Sequence, residues 1–261
     1  MTQASSITQT PTLTLDTLTP IAGPNGTDRG LVAGASRYGK STLLAQIIPH
    51  FSNRYNGKCR VLVVDTKPRW RGTRIVTGSP LRKRYRDFVA GDTLDATVLS
   101  DLDDWELAWD RAFNPTGIVI AQNLDLEDMA LIQWQTMVMR KLFNTQKAST
   151  RTLLVIDEGM DFFGPTGNSL HGPIVQKCWR SGGEKGMSCL IGVQRPKSIN
   201  LQMLTESNLL YLFHLRFAND VKRLQEMGLP GDISPPIEKH KFIFFKDDKL
   251  HPKKIKLAVK G

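Results

Sequence analysis

The sequence predicts an α/β fold with a mainly parallel central sheet flanked by helices. Two observations carry this. Short β-branched or apolar runs alternate with helical patterns along most of the 261 residues. One of those runs, 30–33, opens directly into a glycine-bearing turn that is followed by an amphipathic segment.

Residues 1–29 are rich in Thr, Pro, Ser and Gly and keep no period, so they read as an irregular N-terminal arm. Strands are expected at 30–33, 60–65, 117–122, 152–157, 188–194 and 209–216. A helix is expected over 41–51, immediately after the turn. Ser100, with Asp103 three residues on, caps a second that ends near Phe113. Residues 125–146 carry Met129, Ile132, Met137 and Leu142 at helical spacing, and 172–179 is a shorter helix. Asn219 is expected to cap a last helix that stops at Gly228. The segment 239–261 alternates apolar and basic residues around Asp247 and Asp248, as a hairpin does. The expected organisation is an arm (1–29), one main domain (30–238) and a basic C-terminal hairpin (239–261).

The turn reads Gly34-Ala35-Ser36-Arg37-Tyr38-Gly39-Lys40-Ser41 and is followed by Thr42, which satisfies G-x-x-x-x-G-K-[ST] in full. The glycines let successive N–H groups point inward at phosphate oxygens, and the following helix turns its positive end to the same anion. Lys40 is expected to reach the β- and γ-phosphates, and the Ser41 hydroxyl to complete the shell of a Mg²⁺ ion. A second apolar run ends in Asp157-Glu158, at the sheet edge where open α/β folds bind ligands. Asp157 is expected to serve the metal and Glu158 to polarise an attacking water. No N-K-x-D guanine motif is present, so ATP is expected over GTP. The expected fold is thereby a RecA-like P-loop NTPase of the additional-strand, catalytic-glutamate type. If the run 188–194 lies between the other two, Gln194 at its end can sense the γ-phosphate without adding charge.

At this point the residues resemble the FtsK/HerA superfamily of hexameric ATPases, which move DNA. The resemblance spans about residues 30–227. It rests on Gly34–Ser41, on the strand ending in Asp65-Thr66-Lys67, on Asp157-Glu158, and above all on the block from Gly186 to Gln194-Arg195-Pro196. The run from Asn208 through Arg216 to Asp220 resembles the family as well. Two departures stand out: Val193 occupies the usual small or hydroxyl position, and Gly183 and Glu184 stand where the family often has an arginine. The resemblance implies an arginine finger reaching a neighbouring subunit's nucleotide, for which Arg180 is the first choice and Arg216 the second. It also implies a homo-oligomer of six. A bare motor of this length resembles the genome-packaging ATPases of viruses. That points to double-stranded DNA as cargo, to a capsid, portal or membrane protein as docking partner, and to the host cytoplasm or a packaging vertex of the virion as location.

The charge agrees: 35 Lys and Arg against 25 Asp and Glu give +10 and favour a polyanionic partner. Lys67, Arg69, Arg71, Arg74, Arg82, Lys83, Arg84 and Arg86 crowd one stretch that Pro68, Gly72, Gly78 and Pro80 make loop-like. With the lysines at 253, 254 and 256 they are expected to contact DNA phosphates. Three irregularly spaced cysteines suggest a reducing compartment. No apolar stretch approaches the roughly 20 residues that cross a bilayer. Among other classes, a secretion- or conjugation-type assembly ATPase acting on protein or nucleoprotein cargo is the main rival. A metabolic kinase would need an Arg-rich lid that does not stand out, and a non-enzymatic DNA-binding module leaves Lys40 and Glu158 unexplained.

Overall fold

The computed structural model describes residues 14–66, 75–76, 82–86, 93–99, 109, 113, 116–122, 128–163, 172–226, 229, 235–247 and 249–256. Its strands are β1 (Arg29–Ala33), β2 (Cys59–Val64), β3 (Ile75–Val76), β4 (Arg82–Arg86), β5 (Thr93–Leu99), β6 (Gly117–Ala121), β7 (Arg151–Ile156), β8 (Met187–Val193), β9 (Leu209–Leu212), β10 (Lys241–Lys246) and β11 (Lys249–Lys256). Its helices are α1 (Leu15–Leu18), α2 (Lys40–Arg54), α3 (Asp128–Thr145), α4 (Met160–Phe163), α5 (Gly172–Ser181), α6 (Leu201–Thr205) and α7 (Ala218–Glu226).

All strands belong to one sheet, in the order β11-β10-β9-β1-β8-β7-β2-β6-β5-β4-β3. From β9 to β5 every pairing is parallel. Antiparallel strands extend both sides, β10 and β11 beyond β9 and β4 and β3 beyond β5. β8 lies between β1 and β7, which meets the condition set above for Gln194, so the ends of the three strands that carry the motif residues are neighbours.

Alternation along the parallel strands builds two cores, one on each face. Leu31, Ala33, Leu154, Ile156, Cys189 and Ile191 pack with Trp134, Val138 and Leu142 of α3 and with Val175, Cys178 and Trp179 of α5. The intervening Val32, Val61, Val63, Leu153, Val155 and Leu190 pack with Leu43, Leu44, Ile47, Ile48 and Phe51 of α2. Those five residues form one stripe of α2 and are each fully buried. Each stabilises the fold by about 1.5–3 kcal/mol relative to exposure. Leu18 and Ala22 join the same core, and the hydroxyl of Tyr211 on β9 donates to the Leu18 carbonyl.

Three expectations need correction. The strand expected over 209–216 ends at Leu212. Beyond it Phe213 N–H still donates to Ala33 O, but Ala35 N–H donates to His214 O, so this stretch wraps the turn after β1 and leaves the regular ladder. The basic stretch read as loop contains paired strands: β4 carries Arg82, Lys83, Arg84 and Arg86 and runs antiparallel to β5, Arg82 opposite Thr97 and Arg86 opposite Thr93. Lys67, Arg69, Arg71 and Arg74 lie outside the described residues. Asn219 sits inside α7, which starts at Ala218; Asp220 is the residue buried there, accepting from Arg195 Nε (3.4 Å) and from Lys197 N–H (3.3 Å). Of the helix expected to end near Phe113, the described residues are Trp109 and Phe113, with rings 4.6 Å apart.

The three cysteines are free and buried. Desolvation pushes every thiol up: Cys59 above its usual value, Cys178 to about 12 and Cys189 well above the usual range. These acids ionise more readily in the unfolded chain. Their stabilising effect is therefore complete below the unfolded thiol value, near pH 8.5, and is lost as pH rises from there toward 12. We expect the unfolding free energy from urea titration to fall between pH 8 and pH 10, by up to about 1.4 kcal/mol per pH unit for each fully buried thiol. The native protein should also resist a thiol reagent that labels all three cysteines in urea. Rapid labelling of Cys178 or Cys189 in the native protein would contradict their burial.

Candidate nucleotide site

The turn after β1 is held by backbone bonds to both neighbouring strands. Gly34 N–H donates to Val193 O on β8 (3.0 Å), and Ala35 N–H donates to His214 O beyond β9 (2.8 Å). Gly34 needs its missing side chain: at φ 152° a β-carbon would come 2.5 Å from Phe213 Cβ. Gly39 takes φ 111° as the residue before α2, a conformation that an L side chain rarely adopts. Leu43 N–H then donates to Gly39 O (2.9 Å), and α2 runs away from the loop with its first N–H groups toward it. A cavity of about 500 Å³ opens there, lined by Ser36, Arg37, Gly39, Lys40, Ser41, Thr42 and His240.

Lys40 is buried. Its ammonium donates to Gly34 O (2.7 Å) and Ala35 O (3.2 Å), so the charge is held inside the arc of the loop. Ser41 Oγ donates to Asp157 Oδ1 at 2.8 Å, which joins the loop to the end of β7. A hydroxyl and a carboxylate at this spacing are hard oxygen donors of the kind Mg²⁺ takes, so the residues fit that ion. Next to Asp157, the carboxylate of Glu158 accepts from Gln194 Nε2 at 2.6 Å. Both acids are 1% exposed. The sequence-expected residues Lys40, Ser41, Asp157, Glu158 and Gln194 thus converge at the carboxyl ends of three adjacent strands.

The two arginines named for a finger do not join them. Arg180 is exposed near the amino end of β1, where its carbonyl accepts from Arg29 Nη2 (3.2 Å). It is thus at the far end of the sheet from its own loop. Arg216 is exposed at the same edge as the loop, two residues past His214.

Three sets of contacts around the site were not read from the sequence, although Asp65 and Thr66 belong to the Asp65-Thr66-Lys67 stretch that carries part of the resemblance. Asp65, at the end of β2, accepts from Gln122 Nε2 (2.8 Å), while Gln135 of α3 donates to the carbonyls of Asp65 and Ala121. Thr66 donates its hydroxyl to Asp161 of α4, three residues past Glu158. Tyr38 stacks on His214 with centroids 4.7 Å apart, and His240 approaches the same loop from before β10. An acidic residue ending an apolar strand was the available signal for Asp65. For His240 there was none, since 200 residues separate it from the loop.

No family model matches the chain, and no curated protein does. Solved structures do. The genome packaging NTPase of Sulfolobus turreted icosahedral virus 2, in complex with ATP-gammaS, superposes with a TM-score of 0.57 at 13% identity, covering 89% of this chain and 98% of that one. The DNA-packaging ATPase of Sulfolobus turreted icosahedral virus gives 0.51 at 14% identity, over 87% and 98%. EccC (ATPases 2 and 3) of Thermomonospora curvata, in complex with a signal sequence peptide, gives 0.53 at 12% identity, over 93% of this chain and 40% of that one. The chain therefore has a P-loop NTPase fold held in common with these packaging NTPases and with EccC, and that fold agrees with the FtsK/HerA resemblance of its motifs.

Proposed function

We propose that this protein is an ATP-hydrolysing translocase that pumps double-stranded DNA, in the manner of a viral or phage genome-packaging motor. The observation that carries the reading is the pair of contacts at one sheet edge, Ser41 to Asp157 and Gln194 to Glu158, beside a loop built for phosphate. In this reading the N–H groups of residues 34–42 cradle the phosphates, and Lys40 leaves the loop carbonyls to reach the β- and γ-oxygens. Ser41 and Asp157 would hold Mg²⁺, which when bound would supply charge neutralisation on the phosphates. Glu158 takes the proton of the attacking water. Gln194, bonded to the same carboxylate, couples the state of the γ-phosphate to β8. Arg180, or else Arg216, completes the site of the next subunit in a ring of six. Lys67, Arg69, Arg71, Arg74, Arg82, Lys83, Arg84 and Arg86 face DNA phosphates in the channel, and a capsid, portal or membrane protein anchors the ring in the infected cytoplasm or at the virion vertex.

The superposition on EccC, whose structure holds a signal sequence peptide, supports one rival, a motor that moves protein cargo. ATP turnover measured with Mg²⁺, alone and with linear duplex DNA, separates the two. Stimulation of several-fold by DNA is the expected result. Turnover indifferent to DNA but raised by a signal peptide would support the rival. A wild-type chain that neither binds nor cleaves ATP in any of these conditions would overturn both.

A further inference from the structure

A second cavity, of about 370 Å³, shares no lining residue with the phosphate cavity. Lys197, from the turn after β8, and Asn219, Lys222, Arg223 and Glu226 of α7 form its wall. α7 packs by Leu224 and Val221 into the core that holds α3 and α5, whereas α2, which follows the phosphate loop, packs into the other core. The two cavities are thus served by helices on opposite faces of the sheet. The wall carries three cations and one acid. That acid, Glu226, pairs with Arg223 at 3.4 Å along the same helix. Lys197 and Lys222 are exposed and set the sign of the cavity.

This wall is tied to the nucleotide site through consecutive residues. Asp220 of α7 is 1% exposed and accepts from Arg195 Nε (3.4 Å) and from Lys197 N–H (3.3 Å). The Arg195 guanidinium also sits 4.2 Å from the ring centroid of half-exposed Phe217, which helps to hold it. Arg195 follows Gln194, whose Nε2 donates to Glu158 at 2.6 Å. One peptide unit therefore separates the residue bonded to Glu158 from the residue bonded to α7. An open wall of cations suits a polyanion better than a small free anion, because a chain of phosphates can run across it and release counterions. In a chain of net charge +10, charge complementarity favours the phosphodiester backbone. We propose that this cavity grips a backbone phosphate of duplex DNA through Lys197 and Lys222, and that α7 relays the contact by way of Asp220 and Arg195 to Gln194. This assignment rests on the translocase reading above, and its residues lie outside both the basic stretch at 67–86 and the phosphate loop.

Lys197→Gln combined with Lys222→Gln removes two charges and keeps polar side chains at both positions. Lys58→Gln combined with Lys147→Gln makes the same change of net charge at two exposed positions before the amino ends of β2 and β7, at the other edge of the sheet. Anisotropy of a fluorescent duplex over a range of salt gives Kd and its salt slope. ATP turnover at saturating duplex, divided by turnover without duplex, gives the stimulation. At about 0.1 M salt the Lys197/Lys222 variant is expected to bind duplex roughly tenfold more weakly, with a salt slope smaller by about 2. Its stimulation is expected to fall by about twofold or more. The Lys58/Lys147 variant is expected to match the parent in all three. Parental affinity and slope in the Lys197/Lys222 variant overturn the proposal, and so does an equal loss in the Lys58/Lys147 variant, which would mark a general effect of net charge. Reduced affinity with parental stimulation at saturating duplex overturns the relay to Gln194. Inorganic phosphate, exchanged for chloride at equal ionic strength, is expected to leave turnover unstimulated. Stimulation by phosphate that depends on Lys197 and Lys222 would make the cavity a site for the free anion and overturn the DNA contact. In each of these cases duplex binding by the parent leaves the translocase reading standing. If the parent binds no duplex, both fall together.

Discussion

Glu158→Gln is expected to lower ATP turnover by about 10²–10⁴-fold, the range for removing a general base, while nucleotide affinity stays within about twofold. The substitution keeps shape and polarity: an amide at 158 can still accept from Gln194 through its oxygen, so the contact that ties β7 to β8 survives. What is lost is the carboxylate that accepts a proton. The neighbouring acids cannot stand in for it. Asp157 accepts from Ser41, Asp65 is bound to Gln122, and Asp161 accepts from Thr66, each at a different point of the sheet edge. Single-turnover hydrolysis and titration of a fluorescent ATP analogue check the two halves of this expectation. A variant retaining more than a tenth of the parental turnover would mean that the base is another residue.

Gly192→Ala is expected to be the most damaging single-methyl change in the site. Gly192 lies on β8 opposite Val32 of β1, and its carbonyl accepts from Gly159 N–H at 2.7 Å. A β-carbon there would lie 2.2 Å from Asp157 O and 3.0 Å from Asp157 C, so the obstacle is backbone and cannot rotate away. β8 is fully buried along its length, so the strain must be taken up by separating β7 from β8. Overpacking of this kind costs about 3 kcal/mol. The separation occurs between Asp157 and Glu158 on one strand end and Gln194 on the other. A shift of about 1 Å there should lower turnover by roughly 10²-fold or more. Urea unfolding and steady-state turnover, measured on the same preparation, test both consequences. Parental stability would show that the two strands part without cost.

The contrast between these residues and His240 shows what was legible beforehand. Gly34, Gly39, Lys40 and Ser41 do their work within eight consecutive positions, so local spacing reports it. Asp157 and Gln194 each end an apolar run, and a parallel sheet brings such ends to a common edge. The order of strands completes the site, and that order was left open by the sequence: the run at 188–194 could serve the site only if it lay between the other two, which is where β8 stands. The cationic strand β4 was hidden because glycine, proline and charge around it signal a loop. Its pairing with β5 comes from the far side of the sheet, where neither partner carries an apolar run as long as those of the centre. His240 was hidden for a different reason: its value lies in a contact across 200 residues, and a lone histidine before a strand has no period or spacing to announce it.

The outermost strand, β11, has a consequence for how copies of this chain can meet. It holds four lysines and a proline within eight residues. Proline offers no N–H, and closely spaced like charges repel a second strand of the same kind. This rim is therefore closed to strand addition, and the sheet does not grow from one molecule into the next on the β11 side. At this rim, contacts between copies are left to helix surfaces and loops, which can slide or tilt, whereas a continuous hydrogen-bonded ladder would lock neighbours rigidly together.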